Sequence, residues 1–171
     1  LIGVAAAVDW HDIHHAILRG TAAMPAPDLS RLSGIEQLRA AFGPDSGWKG
    51  IGQTMNFRLV ELEEGRVVFA GTPDERVYNP IGTVHGGYAA TLLDSALGCV
   101  IHSVLKPGQR YTTLELKVAY HRAMTRDTGE VRAEGRVVHA GRRAGFAEGR
   151  ITDAAGKVYA TATSTLMIMD D

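Results

Sequence analysis

The sequence predicts an α+β fold in which an antiparallel sheet is covered on one face by a long, buried helix. Three observations point there. The segment from about His85 to Leu105 is apolar nearly all round, so it belongs inside the protein rather than on a wet surface. Segments that read as strands flank it, two before and four after. The turns between them are short, which favours antiparallel neighbours. One sheet packed on a central helix is the simplest arrangement that buries all of these faces.

The elements follow in chain order. Leu1 to Val8 is apolar, but it lacks a basic leader and is broken by Asp9, which argues against a signal peptide. Met24-Pro25-Ala26-Pro27 reads as a natural start, which would make residues 1–23 additional upstream sequence. Residues 1–45 are read as an amino-terminal extension with a short helix, partly disordered or not native, and 46–171 as the domain. In the extension, Ser33 to Phe42 sets Ile35, Leu38, Ala41 and Phe42 on one helical face, and Gly43-Pro44 stops it. Trp48 to Gln53 is a glycine-bearing connector. Met55 to Glu63 reads as a strand that Glu64-Gly65 turns into a second, Arg66 to Gly71. The central helix follows, ended by Lys106-Pro107-Gly108. Tyr111 to Tyr120 alternates, with Leu114, Leu116, Val118 and Tyr120 on one face. Glu130 to His139, Ala144 to Asp153 and Val158 to Ile168 complete the set, with turns at Gly141-Arg142-Arg143 and Asp153-Ala154-Ala155-Gly156.

Composition narrows the partners. With 171 residues, 45% of them hydrophobic, and a formal net charge of −1, the chain suits one soluble domain with a real core. The charge balance gives no support for nucleic acid or an anionic membrane as partner. No apolar run approaches the roughly 20 residues that span a bilayer. The single cysteine, Cys99, excludes an internal disulfide and suggests a reducing, cytoplasmic setting. It lies in the buried helix and reads as a small core residue, not a nucleophile. His11-Asp12-Ile13-His14-His15 carries ligand-type residues without a scaffold, so no metal is assigned. His102, His121 and His139 show no readable partner.

The chemistry-bearing stretch is Asn79-Pro80-Ile81-Gly82-Thr83-Val84-His85-Gly86-Gly87, which runs into the helix that carries Asp94. Glycines at a helix start let a ligand approach bare backbone N–H groups, and the helix dipole draws negative charge there. Asp94 lies among Leu92, Leu93, Ala96 and Leu97, where burial of a lone carboxylate is costly without a use or a partner. That cost argues for function.

From about residue 50 to 169 the chain resembles the hotdog-fold acyl-CoA thioesterases of the phenylacetate-degradation (PaaI-like) type. The resemblance rests on Asn79, Gly82-Thr83-Val84-His85-Gly86-Gly87, Leu92-Leu93-Asp94-Ser95-Ala96, Thr112-Thr113-Leu114-Glu115-Leu116 and the Gly141-Arg142 turn. It implies a sheet of about five to six strands wrapped around the helix. It also implies subunits paired into a continuous sheet as dimers or tetramers, with active sites across the interface. The implied activity is hydrolysis of acyl-CoA to free acid and coenzyme A. In that pattern Asp94 is the nucleophile or general base, and the Gly86 N–H is the oxyanion donor. Asn79 would lie near the thioester, although an Asn before Pro serves turns equally well. His85 would shape the loop. Thr113 would orient water, yet strict alternation sets it with Glu115 and Lys117, away from Leu114 and Leu116. Gly87 would pack beside the substrate, and Arg142, Arg143 and Arg150 would meet coenzyme A phosphates.

The chemistry is self-consistent. A thiol of pKa near 8.5 leaves as thiolate without strong acid help, so a carboxylate and oxyanion donors suffice with no cofactor. Two rivals stand beside hydrolysis. One is a hydratase or dehydratase, whose His–acid motif is absent. The other is a non-catalytic acyl-CoA binder or sensor, which would not need Asp94. Aryl-acetyl, aryl-carboxyl and medium-chain acyl groups all remain open, as does a carrier-protein thioester.

Overall fold

The computed structural model describes residues 29–43 and 50–170. The upstream segment of residues 1–23, the His11–His15 cluster, Pro44 and Trp48 lie outside the described residues. Three α-helices are present among them: α1 (Gly34–Phe42), α2 (Ile51–Thr54) and α3 (Gly86–His102). Six strands accompany them: β1 (Phe57–Glu63), β2 (Arg66–Gly71), β3 (Gln109–Tyr120), β4 (Val131–Ala140), β5 (Ala144–Thr152) and β6 (Val158–Asp170). The glycine-bearing connector thus holds one helical turn, α2. The central helix ends three residues before Leu105, at a cap formed by Ser103.

All six strands form one antiparallel sheet in the order β1-β2-β4-β5-β6-β3. The expectation of short turns throughout holds for three connections and fails for the fourth. β3 pairs with β6, not with β4, so residues 121–130 carry the chain from one sheet edge back beside β2. β1 and β3 are left as the edges. The sheet curls about α3, which touches β2, β3, β4, β5 and β6.

Burial explains why α3 is central. Tyr88, Ala89, Leu92, Leu93, Ala96, Leu97, Val100 and Ile101 are all buried, covering most of the helix surface. Their partners are inward residues such as Val67, Phe69, Val131, Ala133, Ala147, Ile151 and Leu166. Two glycines that face each other in register, Gly135 and Gly149, let the helix come this close. A Cβ on Gly135 would lie 2.8 Å from the Ala96 carbonyl oxygen, and one on Gly149 3.1 Å from the Leu97 side chain. At its far end the helix is tied to the β1–β2 turn. The Ser103 hydroxyl accepts from the Gly65 N–H at 2.9 Å and donates to the Val100 carbonyl at 2.7 Å. Helix α1 docks beside this end, where Gln37 meets the half-buried His102 imidazole at 3.0 Å and burial holds the imidazole pKa below its usual value.

Strand pairing is interrupted by bulges in several places, and the one in β3 corrects the alternation read from sequence. Thr113 faces Leu166 and Glu115 faces Thr165, so Leu114 is a bulge opposite no residue of its own. Leu114 is 59% exposed instead of sharing the inner face with Leu116 and Val118. The extra residue also resets the parity, so Tyr111 and Thr113 before it face the helix along with Leu116, Val118 and Tyr120 after it.

The close helix–sheet approach gives a stability prediction. Gly135→Ala drives a methyl group against a helix backbone that cannot rotate away, and should cost about 1–3 kcal/mol. Urea unfolding of the variant measures this, and a loss under about 0.5 kcal/mol would mean that the helix is free to shift.

Candidate active site

The loop between residue 78 and the helix is held by its own backbone. Tyr78 and Val84 bridge, the Asn79 N–H donates to the Thr83 carbonyl at 2.7 Å, and Gly82 turns the chain at φ 82°. The Val84 and His85 N–H groups donate to Met124 and Val77 carbonyls at 2.9 and 2.8 Å. The Asn79 side-chain amide is spent inside the loop, donating to the Val84 carbonyl at 3.3 Å and to Thr83 Oγ1 at 3.4 Å. Its carbonyl oxygen is engaged by neither contact.

That loop delivers His85 to the N-cap of α3. Its Nδ1 accepts from the Gly87 N–H at 2.8 Å, which places the ring proton of the neutral imidazole on Nε2. The two glycines are thereby distinguished. The Gly87 N–H is satisfied by the cap, whereas the Gly86 N–H has no partner among the described residues. An unpaired donor at the first turn, with the helix dipole behind it, is an anion-directed group. Beside it is a hollow of about 380 Å³ between α2, the 75–78 segment and the helix, lined by Met55, Val77, Tyr78, His85, Gly87 and Thr91.

Asp94 does not lie where the sequence reading put it. Its neighbours Leu92, Leu93, Ala96 and Leu97 are buried, but Asp94 itself is exposed on the one stripe of α3 that the sheet leaves open. Burial cost therefore does not account for Asp94 in the single chain, because helical periodicity turns this position away from the core. Thr113 Oγ1 lies 3.4 Å from Asp94 Oδ1, a long contact made possible by the bulge at Leu114. Gly86 and Asp94, eight residues apart on one helix, are separated by about 12 Å along its axis.

Sequence reasoning passed over three tyrosines around this helix. The Tyr120 hydroxyl donates to the Gly86 carbonyl at 3.0 Å. Tyr111 lays its hydroxyl against buried Gly98, where a Cβ would come within 2.7 Å of it, one turn beyond Asp94. Tyr120 lies on the inner face that alternation gave to Leu116 and Val118, whereas Tyr111 faces inward because of the strand bulge. Tyr88, in the helix's first turns, is 1% exposed, and burial with some help from Asp74 pushes its hydroxyl up to about 12, so it stays protonated.

The basic candidates separate. Arg142 and Arg143 sit in the exposed β4–β5 turn, and neither makes an ion pair among the described residues. Arg150 lies seven residues further along β5, about 23 Å at 3.3 Å per residue, so it cannot share a phosphate with them. It faces a second hollow, about 390 Å³, on the outer side of the sheet among Lys117, Glu134, Arg136 and Glu148. There Glu134 already holds Arg66, Arg136 and, at 3.6 Å, Arg150. The sheet itself separates this charged dish from α3. Among the described residues no group of three His, Cys, Asp or Glu is placed to hold a metal ion, and no helix is long and apolar enough to cross a membrane.

Known proteins share this geometry. A model described as the thioesterase superfamily matches residues 81–160, which start at the glycine loop and run through α3 to β6. A 1,4-dihydroxy-2-naphthoyl-CoA hydrolase of Listeria monocytogenes is 27% identical over 119 residues, 70% of this chain and 95% of that protein. Over residues 81–160, then, this chain is similar to the thioesterase superfamily. Solved superfamily-like folds superpose on it along most of their length. A Streptococcus mutans protein bound to acetyl CoA aligns with TM-score 0.63 and 27% identity, over 73% of this chain and 95% of the other. A variant of the phenylacetic acid degradation protein PaaI from Thermus thermophilus aligns with TM-score 0.61 and 25% identity, over 68% and 96%. The six-stranded sheet curled on one helix is accordingly the hotdog fold that the sequence resemblance implied.

Cys99 can be set aside as a nucleophile. Burial, with the Asp94 charge nearby, pushes its thiol up to about 12. At about pH 8 the native protein should therefore react with a disulfide reagent at least roughly a hundredfold more slowly than the urea-unfolded chain. Equal labelling rates would show an accessible, reactive thiol.

Proposed function

We propose that the protein hydrolyses acyl-CoA thioesters to a free carboxylic acid and coenzyme A, at a site shared by two copies of the chain. The observation that carries this reading is the unpartnered Gly86 N–H at the start of α3, on the same helix as an accessible carboxylate, Asp94. An oxyanion donor must lie about 3 Å from the carbonyl oxygen, and an attacking oxygen about 3–3.5 Å from its carbon. Donor and attacking oxygen can then be no more than roughly 7 Å apart. The separation of about 12 Å along one helix exceeds that. That separation disfavours direct attack within one chain and supports a pairing of Gly86 of one copy with Asp94 of another.

The fold offers a means of pairing. β3 is an edge strand of twelve residues with one side free, and it exposes Leu114 at its bulge. The unpaired N–H and C=O groups of an edge strand are a template for a second strand. A partner lying across it would cover the open stripe of α3, exclude water from Asp94 and strengthen its interactions.

The steps follow from the groups present. The Gly86 N–H polarises the thioester carbonyl and holds the oxyanion as it forms. Asp94 either takes a proton from water, whose oxygen attacks the carbonyl carbon, or attacks directly to give an anhydride that water opens. In both routes the C–S bond breaks with its electron pair on sulfur, and the thiolate leaves unaided. Thr113 steadies Asp94, and His85 acts through the cap on Gly87. The Arg142–Arg143 turn is assigned to the coenzyme A phosphates, since its two guanidinium groups are exposed and have no ion-pair partner among the described residues. If so, Arg142→Ala with Arg143→Ala raises KM for an acyl-CoA about tenfold and leaves an acyl-N-acetylcysteamine thioester unaffected. Equal effects on both substrates would remove these arginines from the site.

Two variants test the site itself. Asp94→Asn should lower kcat by a factor of about 100 or more, read as thiol release across aryl and straight-chain acyl-CoAs. Gly86→Pro deletes the donor at the first helical position, after an extended His85, φ −63° and ψ 138°; because a Cβ there would lie 3.1–3.2 Å from the Tyr120 ring, its thermal midpoint is measured beside kcat. It should cost a similar factor. Mixing the two inactive proteins under conditions of subunit exchange should restore activity, because half of the sites in each mixed dimer are intact. A mixture that stays inactive would place both groups in one chain, and acyl-CoA binding without hydrolysis in the wild type would favour a binding protein.

A further inference from the structure

We propose that Tyr120 is a positioning residue that aims the Gly86 N–H. This rests on the reading of Gly86 as oxyanion donor. A His-Gly-Gly turn is a poor place to hold a donor still, because glycine allows a wide range of backbone angles. Yet a preorganised donor is worth far more to a developing oxyanion than a mobile one. The structure supplies the missing rigidity from outside the turn. The Gly86–Gly87 peptide is gripped at both ends: its carbonyl accepts from the Tyr120 hydroxyl at 3.0 Å, and its N–H donates to His85 Nδ1 at 2.8 Å. With that peptide plane fixed, and the His85 carbonyl accepting from the Tyr88 N–H at 3.0 Å, little rotation is left to the peptide bearing the free Gly86 N–H.

The tyrosine ring adds a steric half to the clamp. Its Cε1, Cζ and Oη atoms lie 3.1–3.2 Å from where a Gly86 Cβ would be, so the ring rests on the bare Cα. Tyr120 reaches that place because it shares a strand face with Leu116 and Val118, which pack against the core. It is nevertheless 56% exposed, which a tyrosine used only for packing would not need. His85 belongs to the loop and Tyr120 to the last residue of an edge strand, so two distant parts of the chain converge on one peptide group.

Tyr120→Phe keeps the ring and removes the donor. We expect kcat for the best acyl-CoA to fall about tenfold, with KM and the thermal midpoint unchanged, since oxyanion contacts act in the transition state. In a Gly86→Pro background, where no N–H remains to be aimed, the same substitution should change kcat less than about twofold. Full kcat in Tyr120→Phe, or the same loss in both backgrounds, would overturn the proposal. If the wild type releases no thiol from any substrate, hydrolysis falls, and the clamp is judged on its own by amide hydrogen exchange. The Gly87 N–H should exchange at least about fivefold faster in Tyr120→Phe, and an unchanged rate would overturn it.

Discussion

Everything in this molecule is arranged around the contact between the α3 backbone and the sheet at Gly135 and Gly149. Side chains at those two positions would hold the helix off by the width of a methyl group or more. Their absence lets Leu93, Leu97 and Ala96 sit directly on β4 and β5, and the rest of the apolar surface follows. The approach also decides what is left uncovered. A sheet that wraps most of a helix leaves one stripe, and on that stripe lies Asp94. The position of the carboxylate is thus a by-product of packing on the other side of the helix.

The second constraint is the single extra residue in β3. Pushing Leu114 out of register turns Thr113 toward Asp94 and Tyr120 toward Gly86, so one irregular strand serves both ends of the proposed chemistry. A bulge changes which face follows it, and a regular strand would have sent one of these two outward. The same strand is the sheet edge on which a second copy would lie. Dimer formation and active-site geometry would thereby be carried by one element, which gives the fold a reason to keep its edge open.

Electrostatically the site is spare. One unpaired N–H, one carboxylate and a helix dipole are its charged machinery, while the strong ion pairs lie elsewhere, on the outer sheet face around Glu61, Arg66 and Glu134. Burial pushes the upward-shifted groups near the helix, Cys99, Tyr88 and Tyr111, toward their protonated forms. They supply bulk rather than nucleophiles. Asp94 is the exposed carboxylate on this stripe of the helix, and the proposed reaction asks for no acid beside it.

The sequence by itself determined the central helix, the six strands and the loop that caps the helix. It could do so because periodicity, glycine placement and cap chemistry are local: Leu92, Leu93, Ala96 and Leu97 declare a buried face, and His85-Gly86-Gly87 declares a helix start. It also singled out Gly86 and Asp94, the latter on a burial argument that the structure does not support, since a position between leucines can still point to solvent on a 3.6-residue turn. Only the tertiary structure decided the strand order, the inward aim of Tyr111 and Thr113, and the division of labour between the Gly86 and Gly87 N–H groups. Those depend on pairing between β3 and β6 and on contacts spanning more than thirty residues, such as Tyr120 to Gly86. One residue of slip in a strand inverts every side chain beyond it, and no local pattern records where that slip occurs.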